Sequence, residues 1–190
     1  MEKLPFGRPS DRIETMNLPI NNLRYVTTDG LEAPVDRNSP DCPFHGPGRT
    51  SHGQRVANSS IRGLRWETLG AQRELKFNGG IIAALDPKSG QIVVKVSAND
   101  LPEPNNAVAV NPDATIDHQI LVPPQVKRAI QQYPGKAPVE REHPVEGVSE
   151  VLVEDQRIIL GLDFAQEWVE RRTYDVAKQL WGEQVLQYRK

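Results

Sequence analysis

The residues in this chain best suited to chemistry are one cysteine and four histidines. Cys42, His45 and His52 fall within eleven positions of one another, and a thiolate beside imidazoles is a zinc-ligand set. Structural zinc sites ordinarily draw on four ligands and more than one cysteine. A single Cys with exposed loop histidines falls short of that, so no metal site is expected. The same residues fail as a nucleophile and base, because nothing nearby supplies an orienting group or an oxyanion hole. Gly46-Pro-Gly-Arg-Thr-Ser resembles a phosphate loop only in glycine content, since it lacks the lysine and the preceding apolar strand. Carboxylates are frequent, but none pairs at a diagnostic spacing, and Asp86, Asp113, Asp117 and Glu154 read as turn and surface residues. His118 and His143 are left as the residues on which a small enzyme could build acid-base chemistry. No catalytic residue and no cofactor follows from this pattern, and the chain reads as a non-enzyme.

One local charge bias stands out. Between Phe44 and Arg73 lie Arg49, Arg55, Arg62, Arg65 and Arg73, with Glu67 the sole acid. Arginines with Gly, Ser and Trp66 nearby could follow a nucleic-acid backbone and stack a base. They could equally pair with carboxylates of a neighbouring protein. The net charge of the whole chain is −2, which offers no global attraction to nucleic acid or an acidic membrane.

The elements that would position these groups divide the chain in two. Residues 1–73 hold seven prolines and only short apolar pairs, so they read as an extended N-terminal arm whose last third is a basic loop. Residues 74–190 read as a compact α+β domain. Its signals are a hairpin over 81–96 turning at Asp86-Pro-Lys-Ser-Gly, a strand at 116–122, a helix at 124–133, a hairpin at 150–161 and a long helix at 164–188. The short helix rests on Val126, Ala129, Ile130 and Tyr133 at spacings of three and four. The long one rests on Asp163 as N-cap, Gln166 in capping-box position and the absence of proline. On that helix Ala165, Val169, Val176 and Leu180 would face the body. Tyr174, Ala177, Trp181, Val185 and Tyr188 would form a second stripe about 120° away, a surface for a partner protein.

The start of the chain has no apolar segment of signal-peptide type, and no run approaches the ~18 apolar residues of a spanning helix. The expected setting is cytoplasm or virion, without a membrane. These features together lead to the expectation of a structural subunit of a large assembly. Its most concrete form is a capsid-associated, neck, tail or baseplate component whose arm ties neighbouring subunits into homo- or hetero-oligomers. A nucleic-acid-binding accessory protein using Arg49 to Arg73 is the alternative, and a small His118- or His143-based enzyme the second. On the assembly reading, a chain lacking residues 1–55 should still fold.

Overall fold

In the computed structural model, residues 19–36, 42, 60–130 and 134–190 are described. They form thirteen β-strands joined by turns, with no α-helix among the described residues. Every pairing is antiparallel.

The strands make three sheets. The first runs β2 (Glu32–Pro34), β1 (Asn21–Thr27), β3 (Ile61–Thr68), β4 (Ala71–Lys76). The second runs β5 (Ile82–Leu85), β6 (Ile92–Lys95), β7 (Ala107–Val110), β8 (Ile116–Gln119). The third has β9 (Gln125–Ile130) at one edge and then β10 (Val139–Glu154), β11 (Arg157–Phe164), β12 (Trp168–Asp175) and β13 (Leu180–Arg189). This last sheet curls so that β9 meets β12 and β13, and the fold as a whole is a β half-barrel.

The second sheet is the middle layer. Ile92, Val94, Val108 and Val110 pack with Tyr25, Leu64 and Trp66 of the first sheet. From the opposite face, Val93, Ala107 and Ala109 pack with Leu160, Leu162 and Phe164 of the third sheet. A strand buried on both faces loses its polar alternation, which is why β6 and β7 read as the unbroken runs Ile-Val-Val and Ala-Val-Ala-Val. Small alanines on the side of the third sheet leave room for its large side chains. Each large aliphatic group so buried contributes about 1.5–3 kcal/mol.

β10 ties the layers together. Its first part, Val139 to Pro144, pairs with β9, and from Val145 onward it pairs with β11. Two register shifts, between Val145 and Gly147 and between Val148 and Glu150, bend it at the changeover. Buried Asn106 meets the bend, its Oδ1 accepting from Val148 N at 2.8 Å and its Nδ2 donating to Val148 O at 3.1 Å. Val148 pairs with Leu162 of β11 on one side, and on the other this side-chain amide takes the place of a strand neighbour.

This architecture corrects the α+β expectation. No helix spans 164–188: residues 168–175 and 180–189 are β12 and β13, hydrogen-bonded to each other. Residues 165 and 166 turn the chain with φ of +47° and +65°, so Asp163 and Gln166 do not cap a helix. Nor is there a helix at 125–130, which is β9; there Val126, Arg128 and Ile130 form the more buried face at period two, and residues 131–133 lie outside those described. The segment read as an arm supplies β1, β2 and β3, with Tyr25, Val35, Ile61, Leu64 and Trp66 in the core. The boundary at 73/74 falls inside β4, where Arg73 and Glu74 sit opposite Trp66 and Arg65.

Candidate functional site

The second and third sheets are joined at a seam where β8, an edge strand, touches β12 through His118 and Tyr174, and Leu121 just beyond it touches Trp181 of β13. Tyr174 on β12 and Trp181 on β13 are direct cross-strand partners, their ring centroids 5.0 Å apart and tilted at 56°. Trp181 Nε1 donates to Leu121 O at 2.8 Å just beyond β8. The Tyr174 hydroxyl lies 3.2 Å from His118 Nε2, and His118 Nδ1 lies 2.7 Å from Asp117 Oδ2.

The two ends of this chain of groups are shifted in opposite directions. Burial, reinforced by the charges of Asp117 and Asp175, pushes the Tyr174 phenol up to about 12. The hydrogen bond from His118 holds the Asp117 carboxyl below the usual carboxylate range, with Gln91 and Asn111 assisting. The phenol keeps its proton at neutral pH, and the imidazole stands between it and the carboxylate, Nε2 facing the hydroxyl and Nδ1 the Asp117 oxygen. Both imidazole nitrogens are then occupied and the tyrosine is the reverse of activated, so the trio acts as a polar rivet across the seam.

Three large apolar residues next to these groups along the chain are exposed. Ile116, Leu121 and Leu180 are 57, 66 and 59 % exposed. Ile116 neighbours the Asp117–His118 pair, while Leu121 and Leu180 flank Trp181. Beside them opens a cavity of about 490 Å³ lined by Tyr174, Ala177, Leu180 and Trp181, with Lys88 and Arg157 among its polar groups. Its carboxylates serve local structure: Asp86 accepts from the amides of Lys88 and Ser89 and from the Ser89 hydroxyl. Asp175 accepts from Lys178 N at 3.0 Å and pairs with its ammonium at 3.0 Å.

Of the five residues assigned to a partner stripe, the structure brings Tyr174, Ala177 and Trp181 to this one cavity wall. Val185 is exposed further along β13. Tyr188 lies beyond it on the outer face of the sheet, its hydroxyl 2.7 Å from Glu150 Oε1 and its ring 5.3 Å from the Arg171 guanidinium carbon. Glu150 reaches Arg171, at 2.8 Å, by crossing β11 at Gly161. A Cβ there would sit 2.9 Å from the Glu150 side chain, so the glycine is what lets the carboxylate pass. The helical stripe therefore does not exist as one surface. Ile116 and Leu121 were missed because a strand end with exposed apolar residues carries no periodic signal.

The basic segment fares differently. Arg49 and Arg55 lie outside the described residues, as do His45 and His52. Arg65 is paired with Glu32 and with Glu74, the latter at 2.7 Å, and Arg62 donates to its neighbour's carbonyl, Ile61 O, at 2.8 Å. Hydrogen bonding to Arg65 holds the Glu74 carboxyl below its ordinary range. Arg73 buries its Nε without a hydrogen-bond partner among the described residues. Arg65 and Arg62 are thus engaged within the chain. Cys42 is buried, its Sγ 3.9 Å from Val35 O. No group of three or more potential metal ligands occurs among the described residues. His143 packs 5.7 Å from the Phe164 ring with Nε2 buried and lacking a hydrogen-bond partner among the described residues. Neither His118 nor His143 lines the seam cavity.

No protein-family model matches the chain, and no curated protein sequence matches it. Among solved structures, a chain from the structure of Tne2 in complex with Tni2 superposes with a TM-score of 0.51. The match covers 90 % of this chain and 99 % of that one at 13 % identity. At that identity the likeness is one of fold. Among the described residues no helix is long and apolar enough to cross a membrane.

Proposed function

We propose that this chain is a non-enzymatic protein-binding module that docks a partner protein on the seam between β8 and β13. The observation that carries the reading is the exposure of Leu121 and Leu180 beside a fixed Trp181–Tyr174 pair, with exposed Ile116 preceding the Asp117–His118 end of the rivet. Apolar groups clustered about an anchored aromatic, with charges of both signs at the rim, have the make-up of an interface centre. The rivet supplies rigidity, so little side-chain ordering remains to oppose binding. The complementary partner presents an apolar centre and a rim of mixed charge. The fold neighbour comes from a structure of two proteins in complex, which accords with a binding role. A subunit of a larger assembly, a virion component in its most concrete form, is a setting in which such a seam would be covered.

The test is site-specific photocrosslinking in the native host cell. A benzophenone amino acid at Leu180 should give one discrete crosslinked protein, and Leu121→Asp should abolish it without shifting the melting temperature. The same probe at Val139, exposed on the β9–β10 ribbon, should give none. Equal crosslinking at Val139 and Leu180, or none at Leu180, would refute the reading.

A further inference from the structure

Three sheets have six edges, and five carry a visible device against further strand pairing. β2 is three residues long and ends at Pro34. β4 turns Gln72, Glu74 and Lys76 to solvent. β5 is closed at Ala83 by the Tyr25 hydroxyl. β8 has four residues. β9 carries Lys127 and Arg128, and its Lys127 carbonyl accepts from Gln187 Nε2 at 2.6 Å. β13 differs. It is ten residues long and holds Leu180, Val185 and Leu186, three of the eight exposed large hydrophobics among the described residues.

The usable part of that edge can be located. Irregular pairing with β12 is confined to its first half, and from Leu186 to Arg189 the register is regular. Lys190 N donates to Glu167 O at 2.8 Å. Because hydrogen-bonded pairs alternate along an antiparallel ladder, Tyr188 and Leu186 also face β12. The N–H and C=O groups of Gln187 and Arg189 therefore face outward.

Charge selects the occupant. The acid Glu183 sits toward the start of the strand and Arg189 and Lys190 at its end. Two copies laid parallel would set like charges together, whereas two laid antiparallel bring each acid toward the other's bases. We propose that two copies of this chain associate through β13, antiparallel about a two-fold axis at Gln187, joining two five-stranded sheets into one. In that register Leu186 of each copy lies beside Tyr188 of the other, and the Arg189 end of each copy is brought to Val185 and Glu183 of the other, where the regular segment gives way to the irregular one. The existing partners of the charged residues, Glu167 for Arg189 and Arg157 for Glu183, are surface pairs, and exchanging such pairs costs little. This surface is separate from the cavity wall around Trp181, so the inference does not rest on the docking role of the seam.

Sedimentation velocity on the full chain from about 1 to about 100 µM, a range that resolves weak dimers, provides the test. The weight-average mass should rise toward twice that of one chain. Val185→Lys, which sets a lysine against Arg189 of the other copy, should raise the dissociation constant at least tenfold with the melting temperature unchanged. Glu183→Arg and Arg189→Glu should each weaken the dimer, and the double variant should restore it. A monomer throughout the range would overturn the proposal. So would a dimer indifferent to Val185→Lys, or a double variant no better than the singles while all remain folded.

Discussion

The Tyr25 hydroxyl donates to Ala83 O at 3.0 Å and accepts from Ala83 N at 2.8 Å, so one side chain of the first sheet satisfies both outward-facing backbone groups of an edge residue in the second. Tyr25 is itself buried. Its ring belongs to the core shared by the two sheets while its hydroxyl seals an edge.

Tyr25→Phe should accordingly do more than delete one hydrogen bond. It leaves a buried amide and a buried carbonyl without partners, and each such orphan costs about 1–3 kcal/mol. Urea unfolding should show a loss of about 2–4 kcal/mol with little change in the denaturant slope. A loss under about 0.5 kcal/mol, the scale of an ordinary surface change, would mean that water or a shifted strand replaces the hydroxyl.

Removing residues 1–55 should unfold the protein. β1 is an inner strand of its sheet, between β2 and β3, and its loss strips Tyr25 and Val35 from the face formed by Ile92, Val94, Val108 and Val110. The truncated chain should bind a hydrophobic dye and lose cooperative thermal unfolding. A sharp unfolding transition in that chain would show that the second and third sheets suffice alone, and would return residues 1–55 to the role of an appended arm.

The legible and illegible parts of this fold differ in how their turns are made. Asp86-Pro-Lys-Ser-Gly carries both a proline and a left-handed glycine, Gly90 at φ +71°, and the β5–β6 turn is visible in it. Between β11 and β12 the left-handed positions are Ala165 and Gln166, and before β13 the residue is Gln179. None of these types announces a turn, so residues 164–188 read as uninterrupted. The strand alternation was also masked. Glu170 and Arg172 share a face of β12 with Trp168 and Tyr174, and Glu170 is fully buried there. Polar residues at inward positions erase the period of two and leave spacings of three and four, which imitate a helix. The seam was only partly legible for the same reason: Tyr174 and Trp181 are cross-strand partners seven residues apart, a separation that also fits two helical turns.

Stability should fall at alkaline pH between about 10 and 12. Burial pushes both Tyr174 and Tyr188 up to about 12, with the Glu150 carboxylate adding to the effect at Tyr188. The unfolded chain releases these phenol protons near pH 10, while the folded chain retains them. The contribution is therefore fully present below pH 10 and is lost as pH rises through the folded values. Urea midpoints measured at pH 8, 10 and 11 should show the decline, and Tyr174→Phe should flatten it. An identical pH slope in the variant would mean that the hydroxyl titrates as freely folded as unfolded.

The buried Glu170 gives the sharpest test of the half-barrel. Its carboxylate is fully buried and pairs with Arg172 from its own strand and with the Gln187 amide from β13. Gln187 Nε2 also reaches Lys127 O on β9, and Arg128 lies 3.4 Å over the Trp168 ring. The carboxylate thus sits at the centre of the contacts by which β9 folds over β12 and β13. Arg172→Met removes the cation and leaves a buried charge with one neutral donor. A broken buried pair costs about 3–5 kcal/mol, and the low end applies because Arg172 retains contact with water. Pairing that change with Glu170→Leu removes both charges, and apolar replacement of a whole buried pair is often neutral. The double variant should therefore be more stable than Arg172→Met alone, by at least about 1 kcal/mol in chemical denaturation. If the two changes simply add, the carboxylate is hydrated in solution, and the curl of the third sheet over its polar centre is looser than this packing requires.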